Sequence, residues 1–131
     1  MPFLLLLILA ALPVAAQDSG VLATKADSLR GSITPQRAWW EVVYYDLNVT
    51  IQPEDSSITG YNNLTYQVQD TPKKLQIDLQ DPLRIDQITQ NGESLSYQRA
   101  ENSYAYMVTV PENIKRDSLY TLSIYYHGRP K

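Results

Sequence analysis

The sequence predicts an all-β protein, built either as an antiparallel sandwich or as a saddle-like curved sheet. Apolar and polar residues alternate with a period of two in most segments after residue 40, which is typical of strands. Turn residues interrupt these segments at intervals of about ten residues, as in sandwiches and barrels. No long segment has the period of 3.6 that is typical of an amphipathic helix.

The chain begins with an apolar run at residues 3–13, FLLLLILAALP, followed by small residues at Val14 and Ala16. Because a bilayer requires roughly 20 apolar residues, this run is too short to span one. The small residues around position 15 match the cleavage pattern of a secretory signal peptide. We predict a signal peptide at 1–16, and an uncleaved anchor or a buried helix is the alternative. The mature protein is then periplasmic, on the cell surface or secreted, and it contacts no membrane after cleavage.

Residues 17–38 show little pattern, and Gly31 and Pro35 interrupt any long helix. We predict an extended lead-in over 17–38 and a β-domain over 39–131. The domain is long enough to bury a hydrophobic core as a single unit.

The first two strands of the domain are predicted to form a long antiparallel hairpin. The first strand has an apolar face at alternating positions: Val43, Tyr45, Leu47, Val49 and Ile51. After a turn at 52–57, the second strand at 58–68 has its inner face on even positions. Gly60 and Asn62 belong to that inner face, and they indicate a bulge or bend there.

Shorter strands follow, which brings the predicted total to seven or eight; they lie at 75–79, 83–88, 95–97, 104–110 and 120–126. The alternation slips between Ile85 and Ile88, which indicates a bulge. Asn91-Gly92 predicts a hairpin because both residue types tolerate positive φ. If the strand at 120–126 lacked a neighbour, it would be an unpaired, tyrosine-rich edge. We therefore expect the isolated chain to be marginally stable or prone to aggregation.

Composition excludes several classes of function. The 131 residues carry a net charge of −3 and include no Cys and one His. Disulfides, thiolate metal sites and a Cys nucleophile are thereby excluded. The acidic pI of about 5.0 argues against a nucleic-acid partner, which would need a basic face.

No residue of the sequence is a strong catalytic or metal-binding candidate. Neither H-E-x-x-H nor G-x-S-x-G occurs, and His127 is interpreted as a surface residue at a strand end. Asp78 and Asp86 lie among apolar neighbours, but nothing in the sequence places them at the separation that paired carboxylates need. We predict no catalytic, cofactor or metal site in this chain.

Aromatic residues offer the alternative of a binding surface. Ten tyrosines lie in strand-like segments, where they serve either as half-buried strand residues or as a stacking surface for sugars or peptides. If the backbone at Trp39-Trp40 is extended, the two rings point to opposite faces and at least one is buried. Asn48-Val49-Thr50 and Asn63-Leu64-Thr65 match the glycosylation sequon, which matters only in a eukaryotic secretory pathway.

Several motifs, in order from Leu29 to Pro130, resemble the N-terminal part of exported bacterial members of the aminopeptidase N family of zinc metallopeptidases. They are Leu29-Arg30-Gly31-Ser32, Thr34-Pro35, Arg37, Trp39-Trp40, Tyr44-Tyr45-Asp46-Leu47, Ile58-Thr59-Gly60, Leu75-Gln76-Ile77-Asp78-Leu79-Gln80 and the YYHGRP of residues 125–130. Glu41 departs from the family string, which usually has Asp at that position.

The resemblance implies an incomplete, saddle-like N-terminal domain that packs on a catalytic domain and shapes its cleft. Zinc, its ligands and the substrate-binding loops of the family belong to later parts of the protein, and none has a matching position here. This chain alone should therefore be inactive, and it meets peptide substrates only indirectly. The alternatives are a stand-alone exported β-sandwich that binds carbohydrate or protein through its tyrosine-rich faces, and a structural module of an envelope complex.

Overall fold

A computed structural model describes residues 31–131 of the protein. The expected signal peptide at 1–16 and most of the lead-in lie outside the described residues. The described part contains eight strands: β1 (Trp40–Gln52), β2 (Ser57–Val68), β3 (Leu75–Asp78), β4 (Arg84–Gln90), β5 (Glu93–Ser94), β6 (Tyr97–Arg99), β7 (Ala105–Val108) and β8 (Leu119–Gly128). Within residues 31–131, no helix is long and apolar enough to cross a membrane.

The strands form two antiparallel sheets. One has five strands in the order β1-β2-β8-β4-β5, and the other has three in the order β3-β7-β6. Apolar side chains of both sheets form one shared core; Leu64, Val68, Leu75, Ile88, Val108 and Leu122 are among its buried members. The predicted all-β class with antiparallel sheets is confirmed, and the architecture is a two-sheet sandwich.

The β1–β2 hairpin has a bulge, but not at the predicted place. The pairing shifts register between Val42 and Tyr44, so Val42 and Tyr45 both face the core side of the sheet. Around Gly60, in contrast, the register is regular on both sides, and the expected bulge there is wrong. Gly60 is instead required by close approach, since a Cβ would collide with the carbonyl oxygen of Asn48.

The two local signals in β4 are confirmed. Its pairing with β8 shifts register between Ile85 and Gln87, as the slip in alternation predicted. Asn91 and Gly92 have φ values of 53° and 80°, and they form the turn that joins β4 to β5. Positive φ at both central residues is the conformation that favours Asn-Gly in two-residue hairpins.

The last strand is not an edge. β8 lies in the middle of the larger sheet, paired with β2 on one side and β4 on the other. The condition under which residues 120–126 would form an unpaired edge is therefore not met, because β2 and β4 pair with them on either side. The long edge strand of this sheet is β1, which has 13 residues.

Trp39 is 2 % exposed, which confirms that at least one of the two tryptophans is buried, and the partly buried Trp40 also packs against the core. Trp39 lies in a turn before β1 rather than in extended backbone. Both rings contact Tyr66, with ring-centroid distances of 6.1 Å and 5.8 Å. Their indole N–H groups donate to Lys74 O and Gln36 O, which satisfies the polar edge of each ring.

Candidate interaction groove between the two sheets

The two sides of the sandwich, where the edges of the two sheets meet, are built differently. On the closed side, the chain passes from β5 in the larger sheet to β6 in the smaller one within a few residues. Leu95 N donates to Ile88 O at 2.8 Å, and the Tyr97 hydroxyl donates to Ile85 O at 3.0 Å, which fixes this corner. On the opposite side, β1 and β3 are the edges of their sheets, and they leave a groove between them. We call it the inter-sheet groove.

The inter-sheet groove contains two cavities of about 380 and 330 Å³. One wall is the inner face of β1, with Tyr45, Leu47 and Val49, and the other is Ile77 with the following Leu79. Leu47 is 63 % and Tyr45 56 % exposed, although both point to the core side of the sandwich. Apolar side chains on the inner face of a sandwich are normally covered by the opposing sheet, so this wall is incomplete.

One end of the groove is closed by the residues that precede β1. Gln76 N donates to Gln36 O at 3.2 Å, and the Thr34 hydroxyl donates to Gln76 Oε1 at 2.9 Å. Arg37 forms an ion pair with Asp78 at the rim. This turn therefore occupies the first part of the β3 edge. No local sequence pattern indicates the Arg37–Asp78 pair, because the two residues lie in separate elements.

A buried polar atom lies between the two cavities. Asn62 lines both of them, and its Oδ1 is buried without a hydrogen-bond partner. Its partners in the sheet are Leu47 on β1 and Ile124 on β8, so its side chain projects among apolar groups. A buried acceptor without a donor is rare in folded proteins. In the sequence, Asn62 is a polar residue on the mainly apolar inner face of β2. In the structure, it lines the groove between the two sheets.

The acidic candidates do not come together. Asp78 lies at the end of β3 in the smaller sheet and is engaged by Arg37, while Asp86 belongs to β4 in the larger sheet. His127 Nδ1 lies 2.6 Å from Asp86 Oδ1, so the single histidine is used at an exposed strand end. The arrangement offers neither a paired-carboxylate site nor a nucleophile activated by a base.

Residues 31–131 also do not fit a zinc site. Among them, no group of three or more His, Cys, Asp or Glu side chains is positioned to hold a metal ion. Zinc in proteins takes four ligands of these types, three of them from protein in catalytic sites.

A cluster of charges supports the closed side of the sandwich. Arg99 of β6 donates from Nη2 to both oxygens of Asp81, at 2.9 Å each, and Arg84 contacts the same carboxylate. The hydrogen bond from Arg99, followed by that from Arg84, lowers the pKa of Asp81. In the core, burial raises the pKa of Tyr66, whose hydroxyl donates to Gln90 Oε1 at 2.8 Å. The Tyr66 hydroxyl is thus paired inside the core, whereas Asp81, Arg84 and Arg99 stay partly exposed at the surface.

The outer face of the larger sheet is polar with one aromatic pair. The rings of Tyr61 and Tyr125 lie 5.7 Å apart at an angle of 45°. Beside them, Asn63 Nδ2 donates to Asp46 Oδ2 at 3.2 Å and the Ser123 hydroxyl donates to Asn63 Oδ1 at 2.7 Å. The other tyrosines are divided between core and surface: Tyr66, Tyr106 and Tyr126 are buried, Tyr97, Tyr104 and Tyr120 are half-buried, and Tyr44 and Tyr45 are exposed. Of the two sequon asparagines, Asn48 is exposed and Asn63 is half-buried.

Comparison with solved structures points to one fold. An M1 zinc metallopeptidase from Deinococcus radiodurans matches with a TM-score of 0.60 and 22 % identity, over 70 % of this chain and 21 % of that chain. A variant of a two-domain M1 zinc metallopeptidase bound to L-arginine matches with a TM-score of 0.60 and 22 % identity, over 72 % and 21 %. Native leukotriene A4 hydrolase from Saccharomyces cerevisiae matches with a TM-score of 0.54 and 21 % identity, over 69 % and 15 %. No protein-family profile and no curated protein matches the sequence.

The chain thus has the fold of an N-terminal β-domain of M1 zinc metallopeptidases. The likeness at these identities concerns the fold, and the chain spans only 15 % to 21 % of the length of the first and third structures named. The resemblance found in the sequence motifs is confirmed at this level. Its finer part, a relation to exported bacterial aminopeptidases, stays a prediction.

Proposed function

We propose that this chain is the non-catalytic N-terminal β-domain, or part of it, of an exported zinc aminopeptidase. One observation carries the proposal: 70 % of the chain matches a stretch that makes up 21 % of an M1 zinc metallopeptidase. In that setting the chain packs on the catalytic domain and shapes one wall of the cleft that receives the peptide. Zinc would polarise the scissile carbonyl and activate water in that other domain. The described residues of this chain supply scaffold.

The test starts with the coding DNA beyond Lys131. We expect an open frame that encodes H-E-x-x-H and a later glutamate, the ligand set of a His₂Glu zinc site. The natural product should contain zinc and release N-terminal residues from a tripeptide, and a chelator should abolish that activity. As a matched control, His127→Ala should leave the activity unchanged, because His127 is held by Asp86 on the scaffold. A stop codon directly after Lys131, with a folded product in the cell envelope, would overturn the proposal.

Export is the second part of the proposal, and it is supported by the apolar run at 3–13 and the small residues after it. N-terminal sequencing of the product from fractionated cells tests it. A mature N-terminus at Gln17 in a fraction outside the cytoplasm supports cleavage after Ala16. A product that keeps Met1 in the cytoplasm contradicts it.

The stand-alone binding module remains the alternative, favoured by the Tyr61–Tyr125 pair beside the hydrogen-bonding groups of Asn63 and Asp46. Stacking of a sugar on these rings would be weakened by Tyr61→Ala and Tyr125→Ala. Tyr97→Phe serves as a control on the opposite sheet. Glycan-array binding that is lost only in the first two variants would favour this alternative over the peptidase domain.

A further inference from the structure

The edge strands within residues 31–131 differ in how they are protected from other chains. β5 and β6 are edges of two and three residues, and β3 has four. The first part of β3 is also covered, because Gln76 N donates to Gln36 O in the turn before β1. Natural proteins usually keep their edge strands short, charged or covered, which prevents pairing with other chains. These three edges follow that rule.

β1 is the exception among these edges. It has 13 residues, and residues 43–52 are all exposed. It contains no Lys, Arg or Pro, the residues that often keep an edge strand from pairing. Its bulge lies near Val43, after Glu41, and the stretch 44–52 pairs regularly with β2. A regular edge of this length presents a row of N–H and C=O groups to which a further strand can be added.

The stretch 44–52 of β1 is complementary to itself. When two copies pair antiparallel about a two-fold axis at its midpoint, all nine positions find a partner on the same face of the sheet. On the inner face, Leu47 of each copy then lies opposite Val49 of the other, and Tyr45 lies opposite Ile51. All four side chains are exposed in a single copy. Apolar cross-strand pairs of this kind stabilise a sheet, and they remove apolar surface from water.

The distribution of charge fits the same register. The midpoint of the stretch is Asn48, so two neutral amides meet on the outer face at the axis. Asp46 lies opposite Thr50 of the other copy, and the two Asp46 side chains are four residues apart, about 13 Å along the strand. That exceeds the Debye length of about 10 Å at 0.1 M salt, so their repulsion is largely screened. An axis at Asp46 would instead oppose the two carboxylates directly, which destabilises a sheet.

We propose that β1 is a dimerisation edge, on which a second copy of this chain pairs antiparallel over residues 44–52 about a two-fold axis at Asn48. The same residues of both copies form the contact, as in other two-fold dimers. The two larger sheets become one continuous sheet, and Leu47 and Val49 of each copy cover those of the other. At high dilution the chain is monomeric, and the inner face of β1 is open. The dimer involves only strands of this chain, so it is independent of the proposed peptidase role.

Sedimentation over a concentration series measures the association. We expect the wild type to pass from monomer to dimer as its concentration rises. Leu47→Lys brings a charge into the apolar half of the contact and should weaken dimerisation at least about tenfold. Leu119→Lys is the matched control, because Leu119 on β8 is 58 % exposed and Leu47 63 %. This control should dimerise like the wild type.

Disulfide formation tests the register, since the chain has no Cys of its own. Asn48→Cys places two thiols opposite each other at the axis, where cross-strand Cβ atoms lie about 4.5–5.5 Å apart, close to the separation that a disulfide spans. Thr50→Cys is the control on the same exposed face, and its two thiols are about 13 Å apart along the strand. We expect Asn48→Cys to form a covalent dimer at least about tenfold faster under mild oxidation, because only its thiols are within reach.

The variants should fold like the wild type, because all the substituted positions are exposed. Equal melting temperatures at high dilution check this. A wild type that stays monomeric at every concentration leaves β1 to a strand of a different protein and overturns the dimer. Association that persists in Leu47→Lys assigns the contact to another segment, such as the apolar run at 3–13. Equal cross-linking of Asn48→Cys and Thr50→Cys shows contact without a fixed register, and it overturns the two-fold pairing.

Discussion

The closed and open sides of the sandwich differ in how the strands at their edges are connected. On the closed side, a connection of a few residues carries the chain from β5 to β6, and the hydroxyl of Tyr97 bonds across to β4. On the open side, β1 and β3 are adjacent edges joined only at one end, by the turn that contains Arg37. Local connectivity thus completes one side of the core. On the other side, the inner face of β1 stays exposed at Leu47 and Tyr45.

Removal of the Trp39 side chain is the largest perturbation we expect. Trp39 is 2 % exposed, packs on Tyr66 and donates to Lys74 O, so it holds the closed end of the groove together. Trp39→Ala should lower the free energy of unfolding by about 3–5 kcal/mol, the range for large aromatic truncations in a core. Denaturant unfolding measures it. Ile33→Ala, at an exposed position of the same segment, is the control, and it should change the value by less than about 0.5 kcal/mol.

Two leucines compare the covered and uncovered faces of the larger sheet. Leu122 on β8 is fully buried, whereas Leu47 on β1 is mostly exposed, and both point to the inner side. In the isolated chain, Leu122→Ala should cost about 2–5 kcal/mol of unfolding free energy, and Leu47→Ala should cost less than about 0.5 kcal/mol. Equal losses in the isolated chain would mean that β1 is already covered there, and the distinction between the two sides would fail.

The sequence revealed most of the strands because alternation is a local property. A period of two identified β1, β2, β4 and β8, and Asn91-Gly92 identified a turn by its φ requirement. The bulge in β1 escaped because Val42 and Val43 are both β-branched and apolar, so the letters show no change of parity. The order of the strands also escaped: whether β8 is an edge depends on β4, a strand distant in sequence, and pairing of that kind leaves no local signal.

In the candidate groove, too, the sequence predicts the local features but not those that depend on distant strands. Alternation placed Leu47 and Val49 on the inner face of β1. Their exposure depends on whether the opposite sheet extends far enough to cover them, and no local sequence pattern encodes that. The sequence shows Asn62 as a polar residue in an apolar series. It does not show that Asn62 Oδ1 is buried without a hydrogen-bond partner, because that depends on neighbours from other strands. Residues without a strand pattern, such as Arg37, contributed contacts that composition does not reveal.

The smallest effect we expect is an acid-dependent loss of stability on the closed side. The pKa of Asp81 is lowered by hydrogen bonds from Arg99 of β6 and from Arg84. A carboxyl whose pKa is lower in the folded than in the unfolded protein contributes stability above its unfolded pKa. That contribution is lost as the pH falls below about 4, the ordinary range of aspartate.

Asp81→Asn should therefore flatten the decline of the unfolding midpoint between neutral pH and this acid range, as measured by denaturant titrations at a series of pH values. The difference between variant and wild type should be small, because the carboxylate is exposed, and it should shrink further in high salt, which screens surface charges. If both proteins lose stability in parallel on acidification, the Asp81–Arg99 pair does not help to hold the closed corner. The covalent connection from β5 to β6 and the apolar contacts beneath it then suffice to keep this side of the sandwich together.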